Sequence, residues 1–326
     1  MSEEIVFRIL PRLPSKSLMR FKCVHKSWYT VINNPMFVES HLSNSMHNKL
    51  STCILFNRFV QSEKELRFSF LYLYNDYNDE DEHNVNSFVE DIKFPLCTGQ
   101  FIGLEDIESL YIVAHCNGMV CLWDRNDNIV LCNPAIKELK LLPKSCLPQM
   151  VQFGVGIGYD PKIKDYKIHK ISYDEEIYGD RLVIFPPRKT MVFLFDTSDE
   201  VFHNILLPDC LYEPTEEYRY DMSILLWNES VALFGLDSPD AYAAYGIWVM
   251  DDFEGAKGSW TRHLTFKILV DVKRSLKLWK SDEILVVTTS EDIVSYNLGT
   301  EKPRILPMHM ENPCILQNIV YVNSFV

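Results

Sequence analysis

Met119-Val-Cys-Leu-Trp-Asp-Arg-Asn-Asp-Asn-Ile-Val-Leu-Cys-Asn-Pro-Ala-Ile-Lys-Glu-Leu-Lys-Leu-Leu-Pro143 is the stretch on which the fold turns. It runs as an apolar segment, a polar turn at 124–128, a second strand at 129–132, an Asn-Pro step and a closing run at 139–143. Apolar pieces this short, bounded by Asn, Asp and Pro, have the length of strands and not of helices. The same shape returns at 191–208, with its turn at 196–200, and at 284–307; both close on Leu-Pro. Repeated antiparallel units that cannot bury their faces alone predict a propeller-like arrangement, with an irregular sandwich as the other arrangement they allow.

Ahead of this β-rich body lies a different pattern. Residues 2–13 read as a helix: Ser2 caps it, Glu3 and Glu4 suit its N-terminal dipole, and Ile5, Val6, Ile9, Leu10 and Leu13 share a face. Leu13-Pro14 stops it. Ser15 caps a second short helix bearing Leu18 and Phe21, and Val24, Trp28, Val31 and Ile32 continue the spacing into a third. Asn34-Pro35 opens a last turn with Phe37, Val38 and Leu42. The predicted class is α+β, with a helical module over 1–45 and a large all-β domain over 50–326. About forty residues build only a small core, so this many apolar side chains imply cover, either from a partner or from the body.

The chain has 326 residues and a net charge of −13, unevenly spread. Residues 1–50 carry seven Lys/Arg against three Glu, a balance of +4, which leaves −17 for the rest. A body this acidic argues against nucleic acid and for a basic partner. Acids at the N-terminus and the lack of a long apolar run predict a cytoplasmic chain without a membrane segment. The nine cysteines are scattered with no C-x-x-C pair, which predicts reduced, mostly buried thiols and no metal.

Motifs that could carry chemistry fail. In Gly154-Val-Gly-Ile-Gly158, Tyr159 stands where a dinucleotide fingerprint needs its last glycine, and Asp160-Pro161 follows where a helix would start. The stretch predicts a strand entering a hairpin through 160–165 and returning at 166–171. His115, His169, His203 and His263 sit singly in strand-like runs. No catalytic residue and no cofactor is expected.

Two sets of residues carry a resemblance. Ile5-Val-Phe-Arg-Ile-Leu-Pro-Arg-Leu-Pro-Ser-Lys-Ser-Leu-Met-Arg-Phe-Lys-Cys-Val-His-Lys-Ser-Trp28 resembles a plant F-box. His115-Cys-Asn-Gly-Met-Val-Cys121, Val130-Leu-Cys-Asn-Pro-Ala-Ile-Lys-Glu138, Gly156-Ile-Gly-Tyr-Asp160 and Tyr321-Val-Asn-Ser324 resemble the F-box-associated domain. Arg20-Phe-Lys-Cys-Val-His-Lys-Ser-Trp28, Ile247-Trp-Val-Met-Asp-Asp252 and Leu278-Trp-Lys-Ser-Asp-Glu283 resemble the S-locus F-box proteins of apple and pear, the F-box brothers. The resemblance implies a non-catalytic substrate receptor of a ubiquitin ligase. Its F-box would bind a Skp-type adaptor, and through it a cullin–RING scaffold, by way of Leu13, Pro14, Leu18, Lys22, Val24 and Trp28. In the F-box brothers the target is a basic S-ribonuclease, marked in self-incompatibility. The alternative is an F-box protein acting as a non-degradative scaffold, or a decayed paralogue.

Two departures from the family follow. The usual Leu-Pro ahead of the first helix is missing, which implies either a sequence clipped at its N-terminus or a weaker adaptor contact, and 171–191 is short by about one repeat. The target surface is expected on loops mixing acids with tyrosines: 76–91, 173–178, 212–221 and 237–245. Within them Asp79, Glu80, Asp81, Glu82, Glu213, Glu216, Glu217 and Tyr242 are the candidate contacts, since carboxylates steer a basic partner and tyrosines supply rigid contact area.

Overall fold

The apolar spacing of residues 8–40 is realised as helices in the computed structural model, while the expected start of the first helix, with Ser2 as its cap, lies outside the described residues. The structure describes residues 8–47, 52–60, 65–75, 85–92, 110–124, 126, 128–144, 151–173, 191–196, 199–208, 223–227, 230–236, 244–251, 259–268, 272–280, 282–309 and 317–324. A 3-10 turn, Leu10–Arg12, precedes α1 (Ser15–Lys22), α2 (Lys26–Ile32) and α3 (Pro35–His47). Leu13 is extended (φ −86°, ψ 150°) before Pro14, as the Leu-Pro step requires.

The caps differ from expectation. Pro14, not Ser15, stands at the N-cap of α1, and no side chain caps it. α2 is capped by His25, whose Nδ1 accepts the Ser27 N–H at 3.2 Å. Asn34 caps α3 as expected, its Oδ1 accepting the Met36 N–H at 2.9 Å. α3 is a helix of 13 residues where the sequence suggested one turn. Its buried positions Phe37, His41 and Ser45 lie four apart. Two of them are polar, so the hydrophobic period stops before the helix does.

Among the described residues twenty strands follow: β1 (Thr52–Val60), β2 (Glu65–Asn75), β3 (Val85–Ile92), β4 (Tyr111–Cys116), β5 (Met119–Trp123), β6 (Ile129–Asn133), β7 (Glu138–Leu141), β8 (Val151–Asp160), β9 (Asp165–Tyr173) and β10 (Met191–Asp196) come first. β11 (Val201–Leu206), β12 (Ser223–Trp227), β13 (Ser230–Leu236), β14 (Ala244–Met250), β15 (Trp260–Lys267), β16 (Val272–Lys280), β17 (Glu283–Thr288), β18 (Asp292–Asn297), β19 (Pro303–His309) and β20 (Gln317–Val322) complete the set. They make four-stranded sheets β20-β1-β2-β3, β4-β5-β6-β7, β12-β13-β14-β15 and β16-β17-β18-β19. β8-β9 and β10-β11 are two-stranded among the described residues. Short antiparallel meanders of this kind are the blades from which propeller-like folds are built, and the chain is α+β, its helices falling within the first fifty residues among the described residues.

The chain divides into two compact units. The first holds residues 1–159, 164–173 and 314–326, so the helices share it with the first β sheets. Its core joins Leu55, Phe70, Leu122, Val130, Ile319 and Tyr321. The second holds 160–163 and 174–313. Its larger core is built on Phe234, Ile247, Ile284, Val286 and Tyr296, and a Trp260 indole N–H donates to the Leu206 carbonyl at 2.7 Å, tying β15 to β11.

One turn recurs. β6, β8, β10 and β18 end on Asn133, Asp160, Asp196 and Asn297. Each side-chain oxygen accepts a backbone N–H two or three residues on: Ala135 at 3.0 Å, Lys162 at 2.8 Å, Asp199 at 3.0 Å and Gly299 at 3.0 Å. The residue four beyond the Asn or Asp is left-handed every time: Lys137 (φ 59°), Lys164 (φ 55°), Glu200 (φ 57°) and Glu301 (φ 56°). The side chain closes the turn and the left-handed residue aims the chain into the next strand. This corrects the reading of the repeat. The turn at 196–200 matches the one after Asn133, not the Asp124 turn, in which Asp124 Oδ1 accepts the N–H groups of Asn126 and Asn128. Glu301→Val, a β-branched residue at left-handed φ, should cost about 1–2 kcal/mol, whereas Glu301→Gly should cost nothing; denaturant midpoints decide it.

Two expected loops are shorter than the sequence suggested. Residues 85–91 of the acidic stretch 76–91 belong to β3, where Glu90 pairs with Lys16 and Asp91 with Arg67. Tyr245 is buried in β14. The stretch judged short of one repeat lies largely outside the described residues, between β9 and β10.

Candidate functional site

The helical module closes on Leu10, Leu18, Ile32 and Phe37, with Leu13, Met19, Phe21, Trp28, Val31 and Val38 partly buried around them. Phe21 and Trp28 meet edge to face, centroids 5.2 Å apart. Closing this core leaves other apolar side chains in water: Ile9, Val24 (64% exposed), Tyr29 and Met36 (75% exposed). So small a module with so much apolar surface outside its core has the composition of a docking surface.

Its other side is seated on the β region of the first unit. Ser15, fully buried, donates from Oγ to the Asn323 carbonyl at 3.3 Å, which is why it does not cap α1. Lys16 pairs with Glu90 on β3, and Ile136, in the β6–β7 turn, packs against the helical core. Lys164 reaches Glu39 of α3 at 3.5 Å, both largely exposed, so the pair adds little.

Beneath the seat, three stretches that carry the family resemblance in the sequence, 115–121, 130–138 and 321–324, meet. Tyr321 Oη donates to Asn133 Oδ1 at 3.1 Å, and the Ala135 N–H reaches Tyr321 Oη at 3.3 Å. Asn133 Nδ2 donates to the Ser324 carbonyl at 3.3 Å, and Ser324 Oγ donates to the Asn117 carbonyl at 2.5 Å. Tyr321, Asn133 and Ser324 are all buried. Burial holds the Tyr321 phenol well above its ordinary range. Gly118 closes the knot at φ +88°; a Cβ there would come within 2.9 Å of the Val322 carbonyl oxygen and closer still to Ser324 Oγ. A network this deeply buried and mutually satisfied does structural work.

Residues 1–40 match the F-box domain, and residues 80–186 match the F-box associated beta propeller domain. The chain is thus similar to an F-box over its first forty residues and to an F-box-associated domain over about a third of its length further on. An F-box/kelch-repeat protein of Arabidopsis thaliana is 26% identical over 324 residues, 87% of this chain and 84% of its own length. Two further Arabidopsis thaliana F-box proteins are 30% and 27% identical over 50% and 52% of this chain. The chain covers 39% and 38% of those two, about two fifths of their length.

Within the F-box, the residues singled out from sequence fall into three places. Pro14 and Val24 are exposed, Leu13 and Trp28 half-buried. Leu18 is fully buried and belongs to the module's own core. Lys22 is half-buried; burial lowers its pKa and Glu138, at the start of β7, raises it, so the charge acting on it comes from the β region. Ile9, Tyr29 and Met36 were missed. Their exposure depends on how the helices pack, which spacing does not encode.

α3 is tied to the Leu-Pro step by His41, whose ring N–H donates to the Leu13 carbonyl at 3.0 Å. Burial lowers the His41 pKa, with the Leu13 bond pulling the other way. Below the ordinary histidine value the unfolded chain takes up a proton that folded His41 resists, so F-box stability present above about pH 6.5 is lost as pH falls. A His41→Asn variant should show a flatter fall in melting temperature from pH 7 to pH 5.

The acidic candidates Asp79, Glu80, Asp81, Glu82, Glu213, Glu216 and Glu217, with Tyr242, lie outside the described residues. Among the described residues no His, Cys, Asp and Glu cluster could hold a metal, and no helix is long and apolar enough to cross a membrane. Cys53, Cys121 and Cys132 are buried and free, and burial pushes the Cys121 thiol up to about 12.

Proposed function

We propose that the chain is the substrate-recognition subunit of a Skp–cullin–F-box ubiquitin ligase. One observation carries this: the segment matching an F-box folds as a small helical module that satisfies its own core and still presents Val24, Tyr29 and Met36 to solvent. Leu13, Pro14, Val24 and Trp28 are the adaptor contacts in this reading. Leu18 supports them from within, and Lys22 lies toward Glu138 at the edge of the contact. Binding brings the target close to ubiquitin chemistry carried out on other subunits, an effect of proximity that asks for no catalytic group here. Co-purification with a Skp-type adaptor tests it; a folded chain that leaves the adaptor unbound would refute it.

For the target, the resemblance to the S-locus F-box proteins and a body at −17 favour a basic S-ribonuclease from the style, recognised in the cytoplasm. Acidic loops on a β scaffold would steer such a partner. Replacing Asp79, Glu80, Asp81 and Glu82 by Ser, or Glu213, Glu216 and Glu217 by Ser, should slow association about tenfold at low salt and flatten its salt dependence. Unchanged rates at two ionic strengths would move the target surface to an apolar face.

A further inference from the structure

β20 serves two neighbours at once. Its backbone completes the first sheet by pairing antiparallel with β1 from Thr52↔Val322 to Asn57↔Gln317. The residues directly after it carry the F-box: the Asn323 carbonyl receives Ser15, and Ser324 is bonded to Asn117 and Asn133. The module also rests on elements that do not pair with β20, through Lys16 to Glu90 on β3, the opposite edge of that sheet, and through Ile136 in the turn that Asn133 closes. The buried Ser15 hydroxyl finds the Asn323 carbonyl only when the residues after β20 are in place and the module is against them, whereas Tyr321 and Ser324 bond within the β region. Removing β20 leaves the Ser15 hydroxyl without this partner, which is costly in a buried site.

We propose that residues 321–324 are a latch coupling insertion of β20 to the seating of the F-box, so that the adaptor-binding helices are held in one orientation only while β20 is in place. Ser15, Asn133, Ile136 and Ser324 are then positioning residues: they touch neither adaptor nor target, and set the angle between the two. The use made of that angle rests on the ligase reading above; the coupling itself does not. A free energy of coupling is reciprocal, so disturbing the body side must loosen α1 and disturbing the F-box side must loosen β20.

Hydrogen exchange on the full chain tests this with Ile136→Asp on the body side, Ser15→Trp on the F-box side and Ser15→Ala as a milder change. Ile136→Asp should speed exchange of the α1 amides about tenfold, and Ser15→Trp should do the same for β20, with β12–β15 unchanged as the control for global unfolding. Ser15→Ala should shift both in the same direction by less. Loosening of α1 in any variant with β20 protected as in the wild type would overturn the latch. Calorimetry with the Skp-type adaptor, run on the same samples, should show affinity kept within about threefold, since the contact surface is elsewhere. Coupled exchange in a wild-type chain that does not bind the adaptor would support the latch and defeat the ligase reading.

Discussion

Gly118→Ala is expected to destabilise the first unit by about 3 kcal/mol or more, through two costs that add. A side chain at left-handed φ costs about 1–2 kcal/mol, and at φ +88° alanine has no relaxed conformation nearby. The added methyl also meets Ser324 Oγ and the Val322 carbonyl, and overpacking of a filled site costs about 1–3 kcal/mol more. Relief means moving residues 322–324 away, which breaks the Ser324–Asn117 bond and the seat of Ser15 with it. The melting temperature of the unit should fall by about 10 °C, on the scale for a domain of this size. Gly156→Ala, where a Cβ meets nothing within 4 Å, should be close to neutral and serves as the comparison.

Val24→Asp should weaken adaptor binding by about 2 kcal/mol or more, roughly thirtyfold, while leaving the melting curve in place. Val24 is 64% exposed, outside the helical core, so a charge there disturbs a docking surface and little else. Leu18→Asp separates the two roles: it buries an unpaired carboxylate in the module's own core and should abolish binding by unfolding the F-box. Trp28→Ala should fall between, losing the contact with Phe21 as well as surface. Equal affinities for Val24→Asp and wild type by calorimetry would take Val24 out of the interface.

Much of this architecture was readable because its devices are local. Leu13-Pro14 and Asn34-Pro35 mark helix boundaries by chemistry that acts within three residues, and the turns at 124–128 and 160–165 close on their own aspartates. The length of α3 was hidden because its buried face carries His41 and Ser45, polar residues whose place inside depends on contacts such as that with Leu13. The phase of the repeat slipped by a strand because its marker is conformational, a left-handed charged residue four beyond Asn or Asp, and Lys or Glu gives no local hint of positive φ. The seat was out of reach for another reason. Ser15 and Asn323, or Tyr321 and Asn133, lie far apart in the chain, and only a sheet that takes its last strand from the other end of the sequence brings them together. Three of the stretches that carry the family resemblance, 115–121, 130–138 and 321–324, meet at that junction.

Ubiquitin transfer can be followed in a reconstituted ligase containing the Skp-type adaptor, cullin, RING subunit and this chain, with a panel of S-ribonucleases present. Conjugates should form on at least one ribonuclease, require this chain and be lost with Val24→Asp. Full assembly of the complex with no conjugate on any bound ribonuclease, or conjugates that persist when the chain is left out, would overturn the ligase reading.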